Sequence, residues 1–231
     1  MELTHEEKHF RGSAIVRDFV IGMSDGLTVP FALAAGLSGA VSSSEIVITA
    51  GLAEIAAGAI AMGLGGFMAG RTEMDHFDSE MRREYYEIET LRHKEIAETR
   101  EIFAEFGVSE EVQTLVAEEI AKDPKKWVDF MMKFELGLEK PHKHRALQSA
   151  FIIGISYIIG GIIPLMPYFM YDNAMEGLKY SVFATLGCLL LFGFIKSKIT
   201  ARPVFKGALS TAFIGLVAAG CAYGIAKLIA H

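Results

Sequence analysis

Four glutamates in the charged middle of the chain recur at helical spacing. They are Glu84, Glu87, Glu95 and Glu98. At about 100° per residue, one continuous helix would hold all four in a stripe about 80° wide, so that like charges lie together. Carboxylate oxygens are the ligands that hard divalent cations prefer. The stripe therefore predicts a divalent-cation site, and the alternative is a solvated helix face, since basic residues lie nearby.

Further along the same segment, Met131 and Met132 precede Glu135 by four and three residues. A thioether sulfur adds a softness that favours later transition metals over Mg(II) and Ca(II). We expect the helix that carries these residues to dock against the glutamate stripe and to complete a metal site of five carboxylates and two thioethers. The alternative is that both methionines are core residues of a small helical domain.

Ionisable side chains also lie inside two apolar stretches, where they are candidates for function by default. Asp25 sits in GMSDGL, and its two flanking glycines together with Pro30 are expected to unwind the helix and turn carbonyls toward a cavity. Glu54 and Met62 share a helical face with glycines at four-residue steps, which predicts a polar, sterically open face. We predict that Asp25, Glu54 and Met62 line an ion path; the alternative for the two carboxyls is a buried structural hydrogen bond.

The elements that must position these residues are helices, most of them in a membrane. Of the 231 residues, 52 % are hydrophobic, and the long apolar stretches form five blocks of about 20 residues that can each cross a hydrocarbon core of about 30 Å. This pattern predicts an all-α polytopic membrane protein with five transmembrane helices. The blocks are 15–37, 45–70, 147–170, 178–196 and 204–229.

The charged segment between the second and third blocks predicts a three-helix domain. It has no Pro or Gly from Arg71 to about Glu105, so the second membrane helix is expected to continue out of the bilayer unbroken. Turn and capping residues then predict helices over about 109–121 and 125–138. The expected parts of the chain are 1–70 with membrane helices one and two, 71–145 with the metal-binding domain, and 146–231 with membrane helices three to five.

Basic residues predict the orientation of the helices. Lys and Arg are abundant in three places: the N-terminal flank with Lys8, Arg11 and Arg17, both edges of the middle domain, and the link KSKITARPVFK. The link YDNAMEGLK, in contrast, carries only Lys179. Lys and Arg concentrate in cytoplasmic loops. We therefore predict a cytosolic N-terminus, a cytosolic metal-binding domain and a C-terminus on the opposite, luminal side.

Cysteine usage and charge exclude several classes of protein. Cys188 and Cys221 both fall in predicted membrane helices, which leaves no disulfide framework and no CxxC metal site. Residues 73–140 hold 19 Asp and Glu against 10 Lys and Arg. An acidic domain argues against nucleic acid and against anionic lipid as its partner. No prosthetic group is expected.

Two motifs resemble the vacuolar iron transporter family: DGLTVPFALAAGLSGA in the first span and GLAEIAAGAIAMGLGGFMAGRTE in the second, followed by the acidic insert. The resemblance covers essentially the whole chain. It implies a homodimer of five-helix protomers in the vacuolar membrane, with a cytosolic three-helix metal-binding domain, that moves Fe(II) from cytosol to vacuole in exchange for H⁺. By motif, Asp25, Glu54 and Met62 match the translocation path, and the metal-binding domain is matched by Glu84, Glu87, Glu95, Glu98, Met131, Met132 and Glu135.

Three alternatives stay open on the sequence. A membrane-anchored di-iron carboxylate oxidase or iron-storage protein needs a Glu-x-x-His pair on each of two helices. Glu73 with His76 has that spacing, whereas His93 follows Glu89 by four residues. The acidic domain is either a capture site on the ion's route or a sensor that gates it. Manganese, finally, could be transported beside or instead of iron, because carboxylates and thioethers accept both ions.

Overall fold

The computed structural model describes residues 13–230, and all regular elements in that range are helical. The predicted basic flank at Lys8 and Arg11 lies outside the described residues. No β-strand occurs in the described range, where the one β-bridge pairs Ser43 with Asn173. The helices are α1 (Ser13–Ala40), α2 (Ser44–Thr90), α3 (Arg92–Glu105), α4 (Glu110–Ile120), α5 (Pro124–Phe134), α6 (Arg145–Leu165), which runs into a 3₁₀ turn (Met166–Phe169), α7 (Ala174–Ile199) and α8 (Val204–Ile229).

Five of these helices are long and apolar enough to cross a membrane, which confirms the predicted number of spans. They are α1, α2, α6 with its 3₁₀ turn, α7 and α8. Large apolar side chains project outward from them, as Phe205 and Phe213 do on α8. In α8 only 11 % of the most apolar 18-residue window is buried. Hydrocarbon is the solvent that such a surface requires.

The chain divides into two compact units. One comprises the residues up to Phe67 together with Ala146 onward, and the other is Met68–Arg145. In the first unit, α1 packs against α7 and α8, and small residues let α8 approach α7 closely: Gly207 faces Ser197 and Gly215 faces Leu189. The small-residue positions of the last span thus serve packing within the chain.

The predicted unwinding of the first membrane helix around Asp25 is wrong. Helix α1 runs without a break through Pro30. Gly22 and Gly26 instead bring the backbone of α1 against α6, where a Cβ atom at either position would overlap the carbonyl oxygens of Ile153 and Tyr157 respectively. Close helix packing, which only glycine permits here, explains these two residues.

This packing predicts that Gly26→Ala destabilises the protein. The atoms in the way belong to the Tyr157 backbone, which cannot rotate aside, and forced overpacking costs about 1–3 kcal/mol. Gly187→Ala in α7 is the matched control, because no atom lies within 4 Å of the added Cβ. Thermal unfolding in detergent should show a lower Tm for Gly26→Ala and an unchanged or higher Tm for Gly187→Ala. Equal Tm values would contradict the close contact.

The second unit is built around a buried tryptophan. Trp127 on α5 is fully buried and packs with Val128, Met131 and Met132 in a core that also includes Phe77 and Ile88 of α2. The start of α5 follows the sequence: Asp123 accepts hydrogen bonds from the backbone N–H groups of the first turn, and Pro124 occupies the first position. The amphipathic pattern of α5 thus determines which face packs inward.

The predicted unbroken helix up to Glu105 is wrong, because α2 ends at Thr90 and α3 begins at Arg92. Long-range contacts hold the start of α3. The Arg92 guanidinium donates a hydrogen bond to the Ala121 carbonyl over 2.9 Å and lies 5.0 Å from the centre of the Trp127 ring. These contacts tie α3 to α4 and α5, so the chain leaves the direction of α2 at Leu91.

Candidate metal site and ion-path residues

Three carboxylates from three helices converge in the second unit. Ligand oxygens of Glu84 on α2, Glu95 on α3 and Glu135 at the end of α5 all lie within 4.8 Å of one another. On a continuous helix, Glu84 and Glu95 would stand roughly 16 Å apart along the axis. The break at Leu91 is therefore what brings them together, and a single-helix stripe is not the geometry of the site.

Burial leaves these carboxylates short of partners. Glu84 and Glu95 are each only 1 % exposed. Among the described residues, Oε2 of Glu84 and both carboxylate oxygens of Glu95 have no hydrogen-bond partner, and the Arg83 guanidinium is 3.8 Å from Oε1 of Glu84. A buried carboxylate without compensation is strongly disfavoured as the charged form. Protons or a bound cation must therefore compensate the charge of these carboxylates.

The protonation of the cluster reflects that burial. Desolvation, with the charge of Glu135 next in size, raises the pKa of Glu84 to about 7. Desolvation, followed by the charge of Glu98, raises the pKa of Glu95 to about 7. Glu135 keeps more contact with solvent, and its pKa is raised by partial desolvation and by Glu98. Near neutral pH the cluster can thus exchange protons for a metal ion.

These pKa values predict how stability depends on pH without metal. The carboxyls of Glu84 and Glu95 titrate near 7 in the folded protein, above the ordinary value of 4.5, so the folded state binds more protons between these two values. Their contribution to stability is therefore full below about pH 4.5 and is lost as the pH rises toward 7. In chelator, the Tm of Glu84→Gln should exceed that of wild type by a margin that grows from pH 5 to pH 8. A constant margin would contradict the raised pKa.

A divalent transition-metal ion fits the spacing of the three carboxylates. Ligand oxygens on opposite sides of an ion with bonds of about 2.1 Å are about 4.2 Å apart. The three oxygens lie within 4.8 Å of one another, so small side-chain shifts bring them into a shared coordination shell. An all-oxygen triad accepts divalent ions from Mg(II) to Fe(II), and further ligands are needed to discriminate among them.

Glu87 and Glu98 lie at the edge of this cluster. Each is half-buried and paired with a base: Glu87 lies 3.6 Å from Arg83 and Glu98 lies 2.8 Å from Lys94. Their negative charges still act on the carboxylate cluster, because both raise the pKa values of Glu84 and Glu95. Their role as ligands stays a prediction, and the structure supports an electrostatic contribution to the site.

Met131 and Met132 are core residues in this structure, with 0 % and 2 % exposure. Trp127 donates a hydrogen bond to the Thr99 hydroxyl over 2.9 Å, and that hydroxyl lies 2.8 Å from the Glu95 carbonyl oxygen and 3.4 Å from the Met131 sulfur. These contacts fix α5 to α3 one turn beyond the Glu95 side chain. Coordination by either thioether stays a prediction.

In the first unit, Glu54 and Asp25 both lie near Tyr157. The Tyr157 hydroxyl donates a hydrogen bond to Oε1 of Glu54, while Oε2 of Glu54 is buried without a partner among the described residues. The backbone of Tyr157 packs on Gly26, next to Asp25. Tyr157 therefore links the two helices that carry the predicted carboxyls.

Tyr157 is the residue that the sequence reasoning missed. It is the only tyrosine in the apolar run FIIGISYIIGG. Because a phenol at membrane depth needs a hydrogen-bond partner, the sequence alone could have marked this residue as a candidate. Its ring also covers the predicted open face of α2 at Gly58. That face is therefore not sterically open as predicted, and Met62, two turns beyond Glu54, is half-buried.

Known proteins resemble this chain over nearly its full length. A family model described as the VIT family matches residues 16–227. Vacuolar iron transporter 1 of Arabidopsis thaliana is 52 % identical over 227 residues, covering 98 % of this chain and 91 % of that protein. The vacuolar iron transporter of Centaurea cyanus is 54 % identical over 96 % of this chain and 91 % of its own length. Protein CCC1 of Saccharomyces cerevisiae is 37 % identical over 93 % of this chain and 69 % of its own length. With the five apolar helices and the carboxylate cluster, these matches establish that the chain belongs to the VIT family.

Proposed function

We propose that this protein transports ferrous iron from the cytosol into the vacuole. The relatives named as vacuolar iron transporters support the substrate and the membrane, and the family is one of transporters and not of enzymes. The observation that carries the proposal is the convergence of Glu84, Glu95 and Glu135 from three helices onto one point. Buried carboxylates without partners are the chemistry that a divalent cation satisfies.

In this proposal the carboxylate cluster captures the ion on the cytosolic side. The raised pKa values of Glu84 and Glu95 mean that binding releases protons near neutral pH. The cluster therefore holds metal in a neutral cytosol and loses it if the pH falls. Met131 and Met132 would add selectivity for Fe(II) if a change in α5 exposed their sulfur atoms. Mn(II) is a second substrate in this proposal, since the oxygen ligands accept it as well.

Within the membrane, Asp25, Glu54 and Met62 carry the ion, and Tyr157 positions Glu54. One oxygen of Glu54 accepts the Tyr157 hydrogen bond, which leaves the other oxygen for the cation. A proton arriving from the acidic lumen neutralises the carboxylate and releases the cation there. The exchange is a proton antiport, with one carboxylate binding the two ions in turn.

Topology and assembly complete the proposal. The N-terminus and the residues of Met68–Arg145 face the cytosol, the C-terminus faces the lumen, and two chains form a homodimer. Cysteine accessibility in sealed vacuoles and crosslinking in membranes test these two statements.

Uptake into proteoliposomes tests the transport itself. Full-length protein should carry Fe(II), kept reduced by ascorbate, to an internal iron-sensitive dye well above the rate of protein-free liposomes. Mn(II) in excess should slow this uptake, and Mg(II) should not. Uptake no faster than in protein-free liposomes would contradict the proposal.

A further inference from the structure

A basic cleft lies at one end of the first unit, between α1, α7 and α8. Its volume is about 820 Å³, which is in the range of sites for small molecules. Four cationic side chains line it and no carboxylate does: Arg17, Lys196, Arg202 and Lys206. Neither the carboxylate cluster nor the ion-path residues border this cleft.

Within the described part of the chain, three of the four cations have no partner of opposite charge. Arg17 lies 3.9 Å from Asp18, whereas Lys196, Arg202 and Lys206 form no ion pair with any carboxylate in residues 13–230. Cations gathered without counter-charges repel one another. An anion in the cleft would remove that repulsion.

The link between α7 and α8 holds the basic residues in place. The backbone N–H of Arg202 donates to the Ser197 carbonyl over 2.9 Å, and Thr200 donates its hydroxyl to the Lys196 carbonyl over 3.0 Å. Ala201 adopts a left-handed backbone with φ of 52°, which makes the turn tight. No side chain caps the first turn of α8, and uncapped N–H groups at a helix start favour an anion.

The rest of the lining identifies the kind of anion. Hydroxyls of Ser197 and Ser210 add hydrogen-bond donors, while Val20, Ile21 and Ile214 make one wall apolar. A site with cations and hydroxyls at helix ends, next to an apolar wall of membrane helices, suits a phosphate group attached to acyl chains. We propose that this cleft binds the phosphorylated headgroup of an anionic phospholipid, with the acyl chains along α1 and α8.

Lipid binding by the full-length protein in detergent tests this site. A short-chain phosphatidylinositol phosphate is titrated by native mass spectrometry, with short-chain phosphatidylcholine, a zwitterion of zero net charge, as the comparison. Lys196→Gln/Lys206→Gln removes two cations from the cleft. Lys179→Gln/Lys227→Gln removes two exposed lysines elsewhere and is the matched control.

We expect Lys196→Gln/Lys206→Gln to bind the phosphoinositide roughly thirtyfold more weakly than wild type. Each lysine near an anionic lipid increases the binding affinity about fivefold, and the variant lacks two. The control should bind within twofold of wild type. If the first variant does not fold, Arg202→Gln in the exposed link should still weaken binding about fivefold. Equal affinity for phosphatidylcholine, or equal loss in the control, would overturn the proposal. Soluble inositol phosphate binding as tightly as the lipid would also overturn it, in favour of a site for a free phosphate compound.

Discussion

Glu54→Gln is expected to reduce Fe(II) uptake to the level of protein-free liposomes. Glutamine keeps the size of the side chain and its oxygen can still accept the Tyr157 hydrogen bond. It carries no charge, however, and takes up no proton. An ion without compensating charge in a low-dielectric site is penalised by tens of kcal/mol in the Born limit. Uptake by reconstituted full-length variant measures the loss.

Two controls make this result specific. Glu45→Gln changes an exposed glutamate at the start of the same helix and should leave uptake unchanged. Metal binding to the carboxylate cluster, measured by calorimetry on the Glu54→Gln protein, should equal that of wild type. Wild-type uptake by Glu54→Gln would remove this residue from the ion path.

Glu84→Gln/Glu95→Gln is expected to abolish the metal site in the second unit. Loss of a residue that only supports a metal ligand already costs about 10–100-fold in affinity. Removing two of three converging carboxylates should therefore weaken binding at least a hundredfold. Calorimetry with Mn(II), which does not oxidise under these conditions, checks this on the full-length chain in detergent.

Thermal stability separates this prediction from simple unfolding. In chelator the double variant should melt above wild type, since glutamine ends the repulsion among buried carboxylates. With Mn(II) the order should reverse, because only wild type gains the binding free energy of the ion. Glu111→Gln/Glu118→Gln changes two exposed residues of α4 and should behave as wild type in both conditions. A double variant that still gains stability from Mn(II) would contradict the site.

The helices were predictable because their signals are local. Apolar blocks of about 20 residues gave the five spans, and Asp123 with Pro124 gave the start of α5. Turn residues likewise placed α4, predicted over 109–121 and observed over Glu110–Ile120. Each of these features depends on neighbours within a few residues, which periodicity and capping rules describe.

The geometry of the sites was less predictable, because contacts between distant residues determine it. No Pro or Gly marks the break at Leu91, which depends on Arg92 meeting Ala121 and Trp127. The roles of two glycines were mispredicted for the same reason. The sequence predicted open space at Gly26 and Gly58, whereas both pack against Tyr157 of α6. The residue types of the carboxylate cluster could be predicted, and their arrangement could not.

Simultaneous measurement of iron and proton movement tests the central claim most directly. Proteoliposomes holding an iron-sensitive dye and a pH dye receive external Fe(II), with and without an inside-acid pH gradient. The proposed antiport predicts that the gradient accelerates Fe(II) uptake and that the interior becomes less acidic as iron enters, with both changes absent in Glu54→Gln. Uptake that is indifferent to the gradient and moves no protons would contradict the exchange and leave a uniporter or channel.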